Sequence, residues 1–146
     1  CLVGSEMCIR DRDVELFAGI REAVMKLHED GFQMGILSSN SADNVRTFLS
    51  RCELLSCFSF IEAGVSLFGK PQRILNVMKK EKADPNRVIY VGDETRDMEA
   101  ARKSKVSGVA VCWGANEREA METEGPAYCI DEPAELIRVA REFAAS

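Results

Sequence analysis

The chain has 146 residues, 46% of them hydrophobic and 29% charged, with 19 basic and 24 acidic side chains for a net charge of -5. That is the size of one domain with its own core. The acidic balance argues against nucleic acid or an anionic membrane surface as partner, yet it leaves room for a small anion held by local positive charge. No apolar run reaches the roughly 18 residues that cross a bilayer, and Cys1 to Arg12 lack the basic-then-apolar order of a signal peptide. Cys1, Cys8, Cys52, Cys57, Cys112 and Cys129 are scattered with no C-x-x-C pair, which fits a reducing cytoplasm and speaks against a zinc site.

Short apolar strands alternate with amphipathic helices from residue 14 onward. Ile20, Val24 and Leu27 recur at helical spacing, and Gly31 follows as a stop. Phe32 to Leu37 reads as a buried strand. Val45, Phe48 and Leu49 mark a helix that starts near Asn40 or Ser41. A second strand fits Phe58 to Ile61. Pro71 then opens a helix whose inward face is read as Ile74, Leu75 and Met78. Val88 to Val91 is a third strand, wholly apolar as parallel strands covered on both faces tend to be. Gly108 to Cys112 is a fourth and Tyr128 to Ile130 a short fifth. Pro133 starts a last helix facing inward through Leu136, Ile137, Ala140 and Phe143. This alternation predicts an α/β fold, a Rossmann-like three-layer domain on a parallel sheet with right-handed crossovers.

In such sheets ligands sit at the carboxyl ends of strands. Three features stand there together. Ser38 and Ser39 end an apolar strand and lead, with Asn40, into a helix start, where hydroxyls and free backbone N–H groups can hold phosphate oxygens. Lys70 lies just before a helix, and an ammonium there neutralises charge on a phosphoryl group in transfer. Asp93 and Asp97 flank a strand-to-helix turn in Gly92-Asp93-Glu94-Thr95-Arg96-Asp97, a pattern suited to Mg²⁺, which prefers oxygen ligands and retains waters.

These residues resemble the haloacid dehalogenase (HAD) superfamily. Ile36-Leu37-Ser38 is similar to its second motif, Lys70 to its third and Gly92-Asp93-x-x-x-Asp97 to its fourth. Ala100-Ala101, Val111-Cys112-Trp113-Gly114 and Ile130-Asp131-Glu132-Pro133-x-x-Leu136 resemble its phosphoglycolate-phosphatase-like branch. The likeness covers about residues 14 to 140. It implies a Mg²⁺-dependent phosphatase that cleaves a small phosphorylated metabolite through an aspartyl-phosphate. Ser38, helped by the backbone of Ser39 and Asn40, would bind the phosphoryl oxygens, and Lys70 would bridge phosphate and nucleophile. Asp93 would bind Mg²⁺, with Asp97 either a metal ligand or a partner of Lys70.

The sequence departs from that family in two places. The first motif, D-x-D-x-[TV] after an apolar strand, supplies the nucleophile, and the thirteen residues before Val14 are too few for that strand, the nucleophile and a cap. Cys1 to Arg12 resemble a translated library adapter, so residues 1–13 are expected to be non-native and 14–146 a partial core without the central strand. Asp11-Arg12-Asp13 mimics D-x-D but lacks the surrounding pattern. The expectation is therefore an inactive fragment of a phosphatase, with a gap or a makeshift filler at the centre of its sheet. The second departure is Lys105, where the family commonly has glycine; left-handed backbone angles there would cost lysine about 1 kcal/mol.

Blander readings compete for several residues. Asp93 could cap a helix, Glu94 reads as a solvated loop acid, and His28 near Gly31 suits a helix dipole better than catalysis. Glu117 to Glu124 reads as a solvated helix face. Gly64 to Lys70 nearly spells a P-loop, but Pro71 stands where the Mg²⁺-binding hydroxyl should be and removes an N–H that would face phosphate. A P-loop NTPase and a non-catalytic remnant that binds phosphate or Mg²⁺ are the two alternatives. Substrate identity and oligomeric state are not legible.

Overall fold

The computed structural model describes the backbone of residues 2–4, and residues 19–38, 41–64, 69–112 and 118–145 in full. Six parallel strands make one sheet, in the order β3-β2-β1-β4-β5-β6. They are β1 (Leu2–Gly4), β2 (Met34–Leu37), β3 (Phe60–Glu62), β4 (Ile89–Gly92), β5 (Ser107–Val111) and β6 (Tyr128–Ile130). The helices are α1 (Ile20–Glu29), α2 (Ala42–Arg51), α3 (Lys70–Lys80), α4 (Thr95–Lys103), α5 (Arg118–Thr123) and α6 (Ala134–Ala145).

Side-chain alternation along the strands makes three layers. Ile89 and Val91 of β4 point, with Ile36, Val109, Val111 and Ile130, into a core closed by Leu27 of α1, Val45 and Leu49 of α2, and Leu136 and Val139 of α6. Val88 and Tyr90 point the other way, into a core closed by Ile74, Val77 and Met78 of α3 and by Ala100 and Ala101 of α4. Both β2 and β4 are buried along their whole length, as the apolar runs predict. No helix among the described residues is long and apolar enough to cross a membrane.

The centre of the sheet is filled, and the filler is β1. Leu2 pairs with Met34 on one side and Ile89 on the other, and Gly4 with Ile36 and Val91. Of the ways to complete a sheet expected to lack its middle strand, the chain uses its own first residues. Of the outcomes expected, the makeshift filler is the one observed: a three-residue strand satisfies the facing N–H and C=O groups of β2 and β4, which would otherwise be buried without partners.

β6 falls where the sequence puts it, α6 starts one residue late at Ala134, β2 starts two residues late at Met34, and β4 and β5 are each offset by one residue; two further expectations shift for a physical reason. The second expected strand begins at Phe60 rather than Phe58, because Leu55–Cys57 form a 3₁₀ turn on which the Phe58 N–H closes, donating to Leu55 O; the Phe60 ring then lies over Gly35, so close that a Cβ there would sit 2.0 Å from it. Leu75 is 42% exposed, and the inner face of α3 is Ile74, Val77 and Met78. Positions 74, 77 and 78 share one side of a 3.6-residue helix, while position 75 is turned about 100° away.

Helices α1 to α4 end alike. After each C-cap comes a residue at positive φ, namely Gly31, Glu53, Lys82 and Lys105. The next two N–H groups close on the last turn; for α4, Lys105 N donates to Arg102 O and Val106 N to Ala101 O, both at 3.1 Å. This is the Schellman arrangement, which satisfies carbonyls that the helix leaves open. Three of the four left-handed positions carry a side chain. His28 lies in the last turn of α1, where a basic group complements the helix dipole.

Candidate active site

The register fixes where the site is. Gly4 stands opposite Ile36 and Val91, so Ser38 and Asp93, each two residues further along its strand, reach the same level on either side of β1. That level is the carboxyl edge of the sheet. Ser38 and Asp93 are buried there, 1% and 7% exposed. The Ser38 N–H donates to Glu62 O of β3 at 2.9 Å, which holds the end of β2 against its neighbour.

Lys70 and Asp97 come to this edge from two packed helices. Lys70 is the first residue of α3, and Pro71 next to it supplies a preset φ in the turn where a missing N–H does no harm. A cation at a helix N-terminus opposes the helix dipole, so this placement has to be offset. The offset is Asp97: Lys70 Nζ donates to Asp97 Oδ1 at 2.6 Å, with both side chains almost fully buried. Asp97 lies in the first turn of α4, where its charge suits the dipole, and its Oδ2 accepts from the Glu94 N–H at 3.2 Å. Tyr90 of β4, fully buried, donates its hydroxyl to the same Oδ1 at 3.4 Å.

The N-cap of α4 is Glu94 rather than Asp93, so the capping reading of Asp93 gives way. Asp97 is engaged through both oxygens, and of its two candidate roles the geometry favours that of Lys70's partner. Among the described residues no three His, Cys, Asp or Glu side chains gather into a metal-binding group. The donor set therefore fits neither a zinc cage nor an all-protein calcium cage. A Mg²⁺ ion needs no such cage, since it takes one or two carboxylates and keeps its waters, and Asp93 is a buried carboxylate at this edge.

Ser39 and Asn40, Asp11 and Asp13, and most of the Gly64–Lys70 loop lie outside the described residues. Cys52, Cys57, Cys112 and Cys129 are free thiols, and burial pushes each of them up from its ordinary range. That suits packed, slow-reacting sulfur better than ligation or nucleophilic chemistry. Sequence reasoning missed Tyr90. Its signal was present as the one polar-tipped side chain in the run Val88 to Val91.

The domain is a parallel three-layer α/β fold with a buried lysine–aspartate pair, a second aspartate and a serine at one carboxyl edge. Comparison with known proteins gives the family. The model of haloacid dehalogenase-like hydrolases matches residues 6–111. The chain belongs to that family. It is 38% identical over 125 residues to a phosphoglycolate phosphatase of Synechococcus elongatus, covering 86% of this chain and 59% of that protein. A phosphoglycolate phosphatase of Pseudomonas syringae pv. syringae is 29% identical over 84% of this chain and 46% of its own length. The chain thus spans roughly half the length of the relatives it matches.

Solved structures share the fold. A haloacid dehalogenase-like family protein from Streptococcus pneumoniae superposes with a TM-score of 0.76 at 21% identity, over 86% of this chain and 60% of its own. An uncharacterized protein from Listeria monocytogenes serotype 4b superposes with a TM-score of 0.81 at 15% identity, over 99% of this chain and 98% of its own. Family membership removes the P-loop reading, and Lys70 paired with Asp97 is engaged differently from a P-loop lysine.

Proposed function

We propose that this chain carries the phosphate-binding half of a Mg²⁺-dependent phosphomonoester hydrolase that acts on a small phosphorylated metabolite in the cytoplasm. The observation that carries the proposal is the buried Lys70–Asp97 pair at the same edge as Ser38 and Asp93. A buried ion pair is often no more stabilising than apolar side chains of the same volume. Its presence at a ligand edge is therefore better explained by what the ammonium does than by stability.

In this reading the Ser38 hydroxyl and the backbone N–H groups of Ser39 and Asn40 hold phosphoryl oxygens. The Lys70 ammonium, aimed by Asp97, neutralises the charge that builds on them. Asp93 holds Mg²⁺, which when bound offsets repulsion between an anionic nucleophile and an anionic substrate. The attacking carboxylate belongs to a D-x-D-x-[TV] segment at the end of the central strand, which this sequence does not spell. On its own, then, the chain binds rather than cleaves. The relatives named above make phosphoglycolate the first substrate to try.

The test is to replace residues 1–13 with the strand, D-x-D-x-T segment and cap of the Synechococcus relative and to assay p-nitrophenyl phosphate and phosphoglycolate. The expected outcome is Mg²⁺-dependent cleavage in the grafted chain, abolished by Lys70→Ala, and none in the chain as it stands. Turnover by the ungrafted chain that Asp11→Asn removes would instead make Asp11-Arg12-Asp13 the working motif.

A further inference from the structure

Among the described residues, Tyr90 is the one buried polar side chain at this edge that the proposed reaction leaves without a role. Its ring is packed among Leu37, Ile74 and Val77, fully out of contact with solvent. A leucine or phenylalanine would fill that volume as well. The hydroxyl, however, reaches Oδ1 of Asp97, the oxygen that also takes the short bond from Lys70. With the Glu94 N–H on Oδ2, the carboxylate is held by donors from three places: α3, β4 and the turn before α4. Two fixed points on Oδ1 and one on Oδ2 leave the carboxylate little freedom to rotate, and the oxygen facing Lys70 is thereby defined.

We propose that Tyr90 is a positioning residue for Lys70. Through its hydrogen bond it fixes the Asp97 carboxylate in the orientation that aims the Lys70 ammonium at the anion site. At 3.4 Å the phenol–carboxylate contact is longer than a charge-assisted O–H···O bond, so it orients Oδ1 while the 2.6 Å bond to Lys70 stays the dominant one. The ammonium is held in place without being fully satisfied by its partner, which leaves its remaining N–H groups for a phosphate oxygen. The consequence for catalysis rests on the phosphatase reading above; the positioning itself does not.

The experiment separates the two. Lysine labelled with ¹³C at Cε is incorporated into the whole chain, and the Lys70 signal is assigned through Lys70→Arg. Expected in the wild type is a pair of distinct Hε resonances, the signature of an immobilised methylene. In Tyr90→Phe the pair should collapse into one, although the fold by circular dichroism is kept. Val77→Ala, a packing lesion in the same core, should leave the pair intact. Collapse in both variants, persistence of the pair in Tyr90→Phe, or a single averaged Lys70 signal already in the wild type would each overturn the proposal. Adding inorganic phosphate is the second arm. A shift of Lys70 in the wild type supports the anion site; no shift removes the phosphatase reading while leaving the result on Tyr90 standing.

Discussion

Asp97 occupies the space that a side chain on Gly92 would need: a Cβ on Gly92 would lie 2.3 Å from Asp97 Cβ and 2.6 Å from its Oδ2. The first turn of α4 folds back directly over the end of β4, and this close approach delivers the carboxylate to Lys70. The glycine of Gly92-Asp93-x-x-x-Asp97 is thus required by contact between its own two ends.

Gly92→Ala should therefore lower stability by about 3 kcal/mol, at the upper end of overpacking effects, because the clash is with an atom fixed to a helix backbone. Urea denaturation followed by circular dichroism measures it. Gly125→Ala, where a Cβ would meet nothing within 4 Å and only the positive φ of 68 opposes it, should lose about 1 kcal/mol. Equal losses would mean that α4 can lift off the strand end.

Lys105 sits at φ 60 as the left-handed residue that ends α4. Glycine there is free of the Cβ penalty but adds chain entropy to the unfolded state, and the second effect offsets only part of the first. Lys105→Gly should stabilise by about 0.5–1 kcal/mol, and Lys82→Gly, at φ 54, by a similar amount. Glu53→Gly should gain less, since Glu53 also pairs with Arg21 at 2.7 Å. Guanidinium titrations of the three variants give the comparison; a loss on Lys105→Gly would mean that the lysine makes a contact outweighing its backbone strain.

Much of the fold was legible because its signals are local. Runs such as Val88 to Val91 and caps such as Ser41, whose hydroxyl accepts the Asn44 N–H, depend on neighbours in sequence. That Ser38, Lys70, Asp93 and Asp97 come to one edge was legible for a related reason: each falls at a strand end or helix start that the pattern itself reveals. What was not legible depends on contacts across the chain. The seating of Phe60 on Gly35 is one such contact. The exposure of Leu75 follows from which side of α3 meets the sheet. The choice of partner for Asp97 required knowing that α3 and α4 pack side by side, and the filling of the central slot by Leu2 to Gly4 required the sheet order itself.

The Lys70–Asp97 pair separates a site kept for stability from one kept for chemistry. Removing one charge leaves the other buried and uncompensated, which costs about 3–5 kcal/mol in comparable pairs, whereas removing both leaves no such debt. Lys70→Met and Asp97→Asn should each destabilise by about 3 kcal/mol. The double variant should be more stable than the sum of the two losses by about 2 kcal/mol, as expected for residues in direct contact. Asp97→Asn retains an oxygen for the Glu94 N–H, so the first turn of α4 should survive in all three. Denaturant midpoints at fixed ionic strength supply the cycle. Additive losses would mean that the 2.6 Å contact carries no coupling. If coupling appears and the double variant remains folded, inorganic phosphate should still fail to bind it. On the proposed reading the ammonium is the group that meets the anion, so restoring the fold without the charge should restore nothing at the site.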